Sequence, residues 1–349
     1  MRILSILLTL FSLLGASSKY ELGSGYPLLS SYLYIGGYVS LSYTYGEKIN
    51  GTSIDDFGIL SYGQANSLTY LGELESINPY QYSFISKKTL THTDIYIKRI
   101  FAKYDFNENI ALKLGKFYTP IGLWNDIPIN VLRDTTSTPL TVTTIYPMLA
   151  TGLDTIVQEQ FEDGLLTCNA LIQTTQDIHP QYNSSIVDTH YALSISYETQ
   201  NFLYKLSGGY FHEQTSLRVY HDDGDNDEDD YFNNYEISII GNNYNYLLLG
   251  FKYEDDMFTL QSEIARQYHN SEVNIDYMGY IQATYRDNKH SYTLRFEDYK
   301  DRENERHHDT FSVIAYTYRP LYPIAFKTEY QLHSIKQNNI AIFSFSILL

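Results

Sequence analysis

A single cysteine, Cys168, excludes an intramolecular disulfide, so the chain must be stabilised by other means. Basic side chains are scarce. Lys and Arg number 24 against 41 Asp and Glu, a formal net charge of −17 that makes nucleic acid an unsuitable partner. Beyond residue 16 no stretch approaches the roughly 18 consecutive apolar residues of a transmembrane helix. The ten histidines are scattered, with only His307 and His308 adjacent, and show no metal-ligand spacing. Neither a G-x-S-x-G element nor a phosphate-binding glycine loop occurs. No cofactor, metal site or catalytic constellation is expected, and the chain does not read as an enzyme.

What is abundant is tyrosine, with 36 residues, alongside Ser, Thr, Ile and Asn. This composition favours strands and turns over helices. A tyrosine ring suits oil and its hydroxyl suits water, so the residue belongs where the two meet. At the start, Arg2, the apolar run Ile3 to Leu14 and the small residues Gly15, Ala16 and Ser17 form the three regions of a secretory signal peptide. The expected division is a cleaved signal over 1–17 and one exported domain over 18–349.

Within that domain the dominant pattern is alternation with period two, in segments of about ten to thirteen residues. Ile35, Val39, Leu41, Tyr43 and Tyr45 alternate with Gly36, Ser40, Ser42 and Thr44; Tyr191, Leu193, Ile195 and Tyr197 alternate with Ala192, Ser194 and Ser196. Ala341, Phe343, Phe345, Ile347 and Leu349 form another apolar face. A soluble sandwich would also alternate, so the connections discriminate. Tight turns at 63–66, 106–109, 162–164, 198–201, 254–256, 286–289 and 319–323 alternate with longer linkers at 47–53, 77–92, 119–151, 177–188, 213–243, 270–276, 300–309 and 334–338. That asymmetry predicts an all-β fold, a transmembrane antiparallel β-barrel of about 16 strands with periplasmic turns and extracellular loops. Tyr235–Ile240 fits either an extra strand or part of a folded loop. A barrel of this size leaves an aqueous channel.

The stretch LKLGKFYTPIGLWN, Leu112–Asn125, carries a Gly-Lys-Phe element, Thr-Pro-Ile-Gly and an aromatic-Asn pair. With Tyr96–Phe106 and Thr151-Gly152-Leu153 it resembles Gram-negative outer-membrane porins of the phosphate-selective-porin-like group, over residues 30 to 175. The resemblance implies a sixteen-stranded trimeric porin whose third extracellular loop folds into the lumen. The arginine ladder of phosphate-selective members cannot be placed here, so the resemblance does not extend to phosphate.

The third long linker, 119–151, holds Pro120, Pro128, Pro139 and Pro147, which stiffen it, and Trp124, Asp126, Arg133 and Asp134, the candidate constriction residues. Cations at the bilayer midplane cost about 2–4 kcal/mol, so strand parity turns charged side chains inward. On this logic Tyr96, Ile100, Ala102 and Tyr104 face lipid and Lys98 snorkels at the rim. Arg99, Lys103, Lys113, Lys205, Arg295, Glu297 and Lys327 then line the pore wall, with Glu263 and Glu329 beside them. Asp126 and Asp134 are expected to oppose Arg99, Lys103 and Lys113. The acidic run at 222–230 starts like a calcium loop but has Glu228 where the turn glycine belongs, and reads as a solvated loop.

The expected function is passive diffusion of small polar solutes or ions across the outer membrane of a Gram-negative bacterium, with lipid and lipopolysaccharide around the barrel. Two readings from other classes stay open: a barrel-embedded hydrolase, and a surface adhesin or receptor with a plugged lumen.

Overall fold

The computed structural model describes residues 22–28, 32–92, 94–126, 129–178, 185–220, 235–270, 272–302 and 309–349. The expected signal segment and the acidic run at 222–230 lie outside them. Sixteen strands cross the wall: β1 (Tyr34–Gly46), β2 (Asn50–Ala65), β3 (Leu68–Ser83), β4 (Tyr96–Asp105), β5 (Ile110–Tyr118), β6 (Leu149–Gln160), β7 (Leu165–Gln173), β8 (Ser185–Glu198), β9 (Phe202–Tyr220), β10 (Tyr235–Glu254), β11 (Phe258–His269), β12 (Glu272–Asp287), β13 (His290–Asp301), β14 (Phe311–Tyr318), β15 (Ile324–His333) and β16 (Ile340–Leu348). Each pairs antiparallel with its neighbours in sequence, and β16 pairs with β1 from Ile340↔Gly46 to Leu348↔Tyr38, so the barrel closes. Two short pieces, Tyr26–Pro27 and Lys88–Thr91, add to the ladder without crossing the wall.

The architecture follows from the alternation. Leu114, Leu193, Leu249, Ile264, Leu294 and Phe343 are all about half or more exposed on the outside, while Ser194, Ser207, Arg295 and Glu297 on the other parity are buried within. A continuous apolar belt of this kind is untenable in water and matches a lipid surroundings. Because every backbone group in a closed ladder is paired, the wall can sit in hydrocarbon without orphan donors. Aromatic side chains ring the short-turn end of the wall. There Tyr104 meets Phe106, Phe202 meets Tyr253, and Tyr285, Tyr292 and Tyr316 contact one another in series, ring centroids 5.0 to 6.4 Å apart. This is an aromatic girdle at one interface.

The connections alternate as expected, with two exceptions. Segments 47–49 and 270–271, at the long-connection end, are as tight as any turn because β2 begins at Asn50 and β12 at Glu272. Tyr235–Ile240 is neither an extra strand nor a loop: it is the outermost part of β10, paired with β9 out to Tyr220↔Tyr235.

Bulges break the parity in places. Glu73↔Arg99 is followed by Leu74↔Ile97, so Lys98 is the additional residue of β4. This corrects two expectations. Lys98 does not snorkel at the rim; it turns inward and pairs with Glu75. Tyr96 falls on the inward face of Glu75 and not on the lipid face. Gly115 marks a second distortion. Its φ of +126° suits glycine, and a Cβ there would lie 2.1 Å from the Ile100 carbonyl oxygen.

Candidate functional site

Between β5 and β6 the chain leaves the wall and enters the barrel. Segment 119–148 contains two 3-10 turns, Trp124–Asp126 and Asn130–Leu132, and a short helix α1 (Leu140–Thr144). Its apolar side chains Ile121, Trp124, Val142, Ile145 and Tyr146 are buried against inward residues of β7 to β12, among them Leu171, Phe211, Leu248 and Met278. Inward positions of a lipid-embedded barrel are normally polar, so this apolar patch exists to seat the loop.

Charged wall residues hold the rest of it. Lys327 donates to both Asn130 oxygens and to Thr135 O, the last at 3.2 Å. Arg295 pairs with Glu297 at 2.7 Å and donates to Ser137 O and Oγ. Glu297 accepts the Leu140 N–H at 2.8 Å, at the start of α1, and Gln267 donates to Thr144 O and Ile145 O at its end. Glu329 accepts both the Thr136 and Ser137 N–H groups and the Ser137 hydroxyl. Glu263 accepts the Leu123 N–H and Lys205 donates to Gly122 O, each at 2.7 Å. Four candidates for the pore wall, Lys205, Arg295, Glu297 and Lys327, thus do face inward, and all four are buried against the loop. Buried donors and acceptors in a lumen demand partners, and the loop backbone supplies them.

The loop candidates are placed as follows. The Trp124 ring is buried, with the guanidinium groups of Arg133 and Arg295 at 5.7 and 5.8 Å from it. Asp134 bonds Arg286 at 2.7 Å and Arg319 at 3.2 Å, beside the short turns on the far wall. The expected opposition of Asp134 to Arg99, Lys103 and Lys113 is therefore not formed, because two nearer arginines take the carboxylate. The Asp126 side chain lies outside the described residues.

The remaining cations occupy the near wall. Arg99 pairs with Glu73 and stands 5.2 Å from the Tyr118 ring. Lys113 approaches Asp154 at 3.5 Å, and Lys103 pairs with Asp105 at 2.8 Å near the short-turn rim. Arg99, Lys113 and Lys205 line a cavity of about 400 Å³ with Asn125, Asn169 and Glu198, on the short-turn side of the loop. A second cavity of about 330 Å³, lined by Thr138, Tyr299, Gln331 and His333, lies on its other side.

Sequence reasoning missed Glu73 and Glu75, which both accept from the Tyr38 hydroxyl at 2.6 and 2.7 Å, although the same parity argument reaches them. It also missed Arg286 and Arg319, which read as turn residues. A further cluster fastens the outer rim. Asp309 accepts from His333, Ser334, the Ile335 N–H and Asn338 at 2.7 to 3.1 Å. Burial works to raise this carboxyl, but those hydrogen bonds outweigh it and hold it at about 2.

No protein-family model matches the sequence, and no curated protein is similar to it. Solved structures are similar in shape. Salmonella typhi OmpF, in a complex with daunomycin, superposes with a TM-score of 0.59 at 12% identity, over 91% of this chain and 98% of that one. Outer-membrane expressed OmpT of Vibrio cholerae gives 0.56 at 12% identity, over 92% and 98%. A triple mutant of the Rhodopseudomonas blastica porin gives 0.52 at 9% identity, over 91% and 100%. At such identities the likeness speaks for architecture alone: the chain has the closed, sixteen-stranded fold of Gram-negative outer-membrane porins.

Proposed function

We propose that the protein is a porin of a Gram-negative outer membrane, a passive channel for small polar solutes or ions and not an enzyme. The observation that carries this reading is the loop 119–148, bonded into the lumen between two cavities of about 400 and 330 Å³. A wall segment that merely capped the barrel would not require buried charged anchors on four different strands. The loop is the constriction, with Trp124, Asp126, Arg133 and Asp134 in it. Arg99 and Lys113 remain beside the water path. Their carboxylate partners, Glu73 and Asp154, are buried behind them while the cations stay partly exposed. Arg99 and Lys113 thus present cations to the water path in spite of the chain's net charge, with Glu198 lower down at the short-turn rim, and this favours anions beside the loop. Phosphate specificity is not part of the proposal. A homotrimer is the expected assembly, checked by the mobility of unheated protein in detergent gels.

The test is single-channel recording in planar bilayers under a salt gradient. Discrete conductance steps with a reversal potential on the anion side are expected, and Arg99→Gln with Lys113→Gln should move it toward cations. A folded barrel without steps would favour the plugged receptor reading. Hydrolysis of peptide or ester substrates abolished by a single inward substitution would favour the enzyme.

A further inference from the structure

Among the described residues, three cations stand together on the outside of the barrel, at the long-connection rim of its apolar belt. Arg266 stands on β11 between Ala265 and Gln267, which both point inward, so it faces outward. Opposite it, a bulge on β12 puts Asp276 and Tyr277 together on the outside between the inward Ile275 and Met278. Lys300 lies opposite Tyr277, and Arg302 follows at the end of β13. All three cations converge on Asp276: Arg302 at 2.8 Å, Lys300 at 3.4 Å and Arg266 at 3.8 Å. Each is about half exposed while Asp276 is largely covered, so positive charge faces outward. The other outward carboxylate nearby, Asp298, takes a hydrogen bond from the Tyr277 hydroxyl at 3.1 Å. Among the described residues here three cations meet two carboxylates, which leaves this part of the rim positive.

Directly toward the membrane centre lies a shallow groove of about 390 Å³. Its walls are Leu249, Phe251, Ile264, Ile281 and Phe296, its floor is bared by Ser262 and Gly279, and Tyr277 and Asp298 close the end nearest the cations. Gly279 sits opposite Ile264 on one side and Asp298 on the other. A Cβ there would come within 2.7 Å of the Glu263 carbonyl, which keeps the position open. A cationic patch at the long-connection rim above an apolar groove at hydrocarbon depth is complementary to one kind of molecule, an amphiphile with a phosphorylated head and an acyl chain.

We propose that Arg266, Lys300 and Arg302 bind the phosphate of an anionic outer-leaflet lipid whose acyl chain lies along the Ser262–Gly279 groove. The inference rests on the barrel standing in an outer membrane with its long connections outward. The two ideas fail separately: a chain that does not insert sinks the porin reading, and an inserted barrel that does not retain the lipid sinks only this site. The experiment is native mass spectrometry of the refolded barrel titrated with bisphosphorylated lipid A, or with the same lipid stripped of phosphate. Wild type should retain the phosphorylated lipid at least tenfold better, and millimolar inorganic phosphate should not displace it. The triple variant Arg266→Gln, Lys300→Gln, Arg302→Gln should lose that preference, and Ser262→Phe should weaken retention several-fold by filling the groove. Lys87→Gln with Lys88→Gln, at the same rim but on another face, should change nothing. If the triple variant does not fold, judged by heat-modifiable mobility, Lys300→Gln alone and Ser262→Phe carry the test. Equal retention of both lipids, displacement by inorganic phosphate, or a triple variant that keeps the lipid but loses an oligomer would overturn the proposal.

Discussion

Removing Glu329 from the wall should loosen the constriction without opening the barrel. Its carboxylate is fully buried and accepts the Thr136 N–H at 2.9 Å, the Ser137 N–H at 3.1 Å and the Ser137 hydroxyl. Glu329→Ala leaves those three loop donors without their acceptor, while the β15 backbone ladder is untouched. Each unmade bond in a dry interior would cost about 1–3 kcal/mol. Water entering from the adjoining cavity replaces part of that, so about 1 kcal/mol per donor is the fitting figure. The docked state is then weakened by about 3 kcal/mol, a shift of about a hundredfold in the docked-to-undocked ratio. Lys327, Arg295, Glu297 and Glu263 still hold the loop, so the undocked state stays a minority. The expected record in planar bilayers is therefore the wild-type step plus brief excursions to a larger one. Glu329→Gln keeps an acceptor oxygen and should give fewer excursions. Deleting 127–138 should make the larger step permanent. If that deletion yields a heat-modifiable barrel whose conductance equals wild type, the loop does not limit the path and the reasoning is wrong.

Other outcomes follow from the same geometry. Leu294→Arg or Phe343→Arg, on the lipid face, should each lower stability in vesicles by about 2–4 kcal/mol in a urea titration, whereas Ser344→Arg should displace the loop that Thr136 bonds there and leave insertion intact. Gly115→Ala brings a methyl against the Ile100 carbonyl and should cost more than about 2 kcal/mol by the same titration. The Asp309 carboxyl is held at about 2, below its ordinary range near 4, so the bonds it makes stabilise the rim above pH 4 and weaken as pH falls toward 2. The protection of the Ile335 amide against exchange, relative to its intrinsic rate at each pH, should fall across that window because Asp309 accepts its N–H, and Asp309→Asn should remove the dependence. Asp134→Asn should leave Arg286 and Arg319 less neutralised and move reversal potentials further toward anions.

The wall was legible because period two is a local property: Leu193 and Ser194 declare their faces through their neighbours alone. The positions that went astray are those where a bulge shifts the count. Lys98 reads as lipid-facing until one residue of β4 is found to have no partner across the ladder, and a bulge has no sequence mark of its own here. The outer halves of β9 and β10 read as part of a linker because the acidic segment between them obscures their alternation, while pairing continues to Tyr220↔Tyr235. The inward parity of Lys205, Arg295, Glu297 and Lys327 could be read, but not what they bond. Their partners lie on the loop up to 197 positions away, and nothing local distinguishes a side chain facing water from one gripping a backbone carbonyl.

The pairing of β16 with β1 sets the order in which the wall can form. Ile340 must find Gly46 across nearly the whole length of the chain, and each earlier hairpin forms while both of those edges stay open. The entropic cost of so distant a contact is met by one final ladder, so closure comes late and slowly compared with the hairpins. Until then two rows of unpaired amides and carbonyls are available to any neighbouring chain. A chain halted before residue 340 would keep both edges and aggregate, however well its first fifteen strands had paired. Assembly is in this sense all-or-none, and the chain must be kept apart from its copies until its last strand arrives.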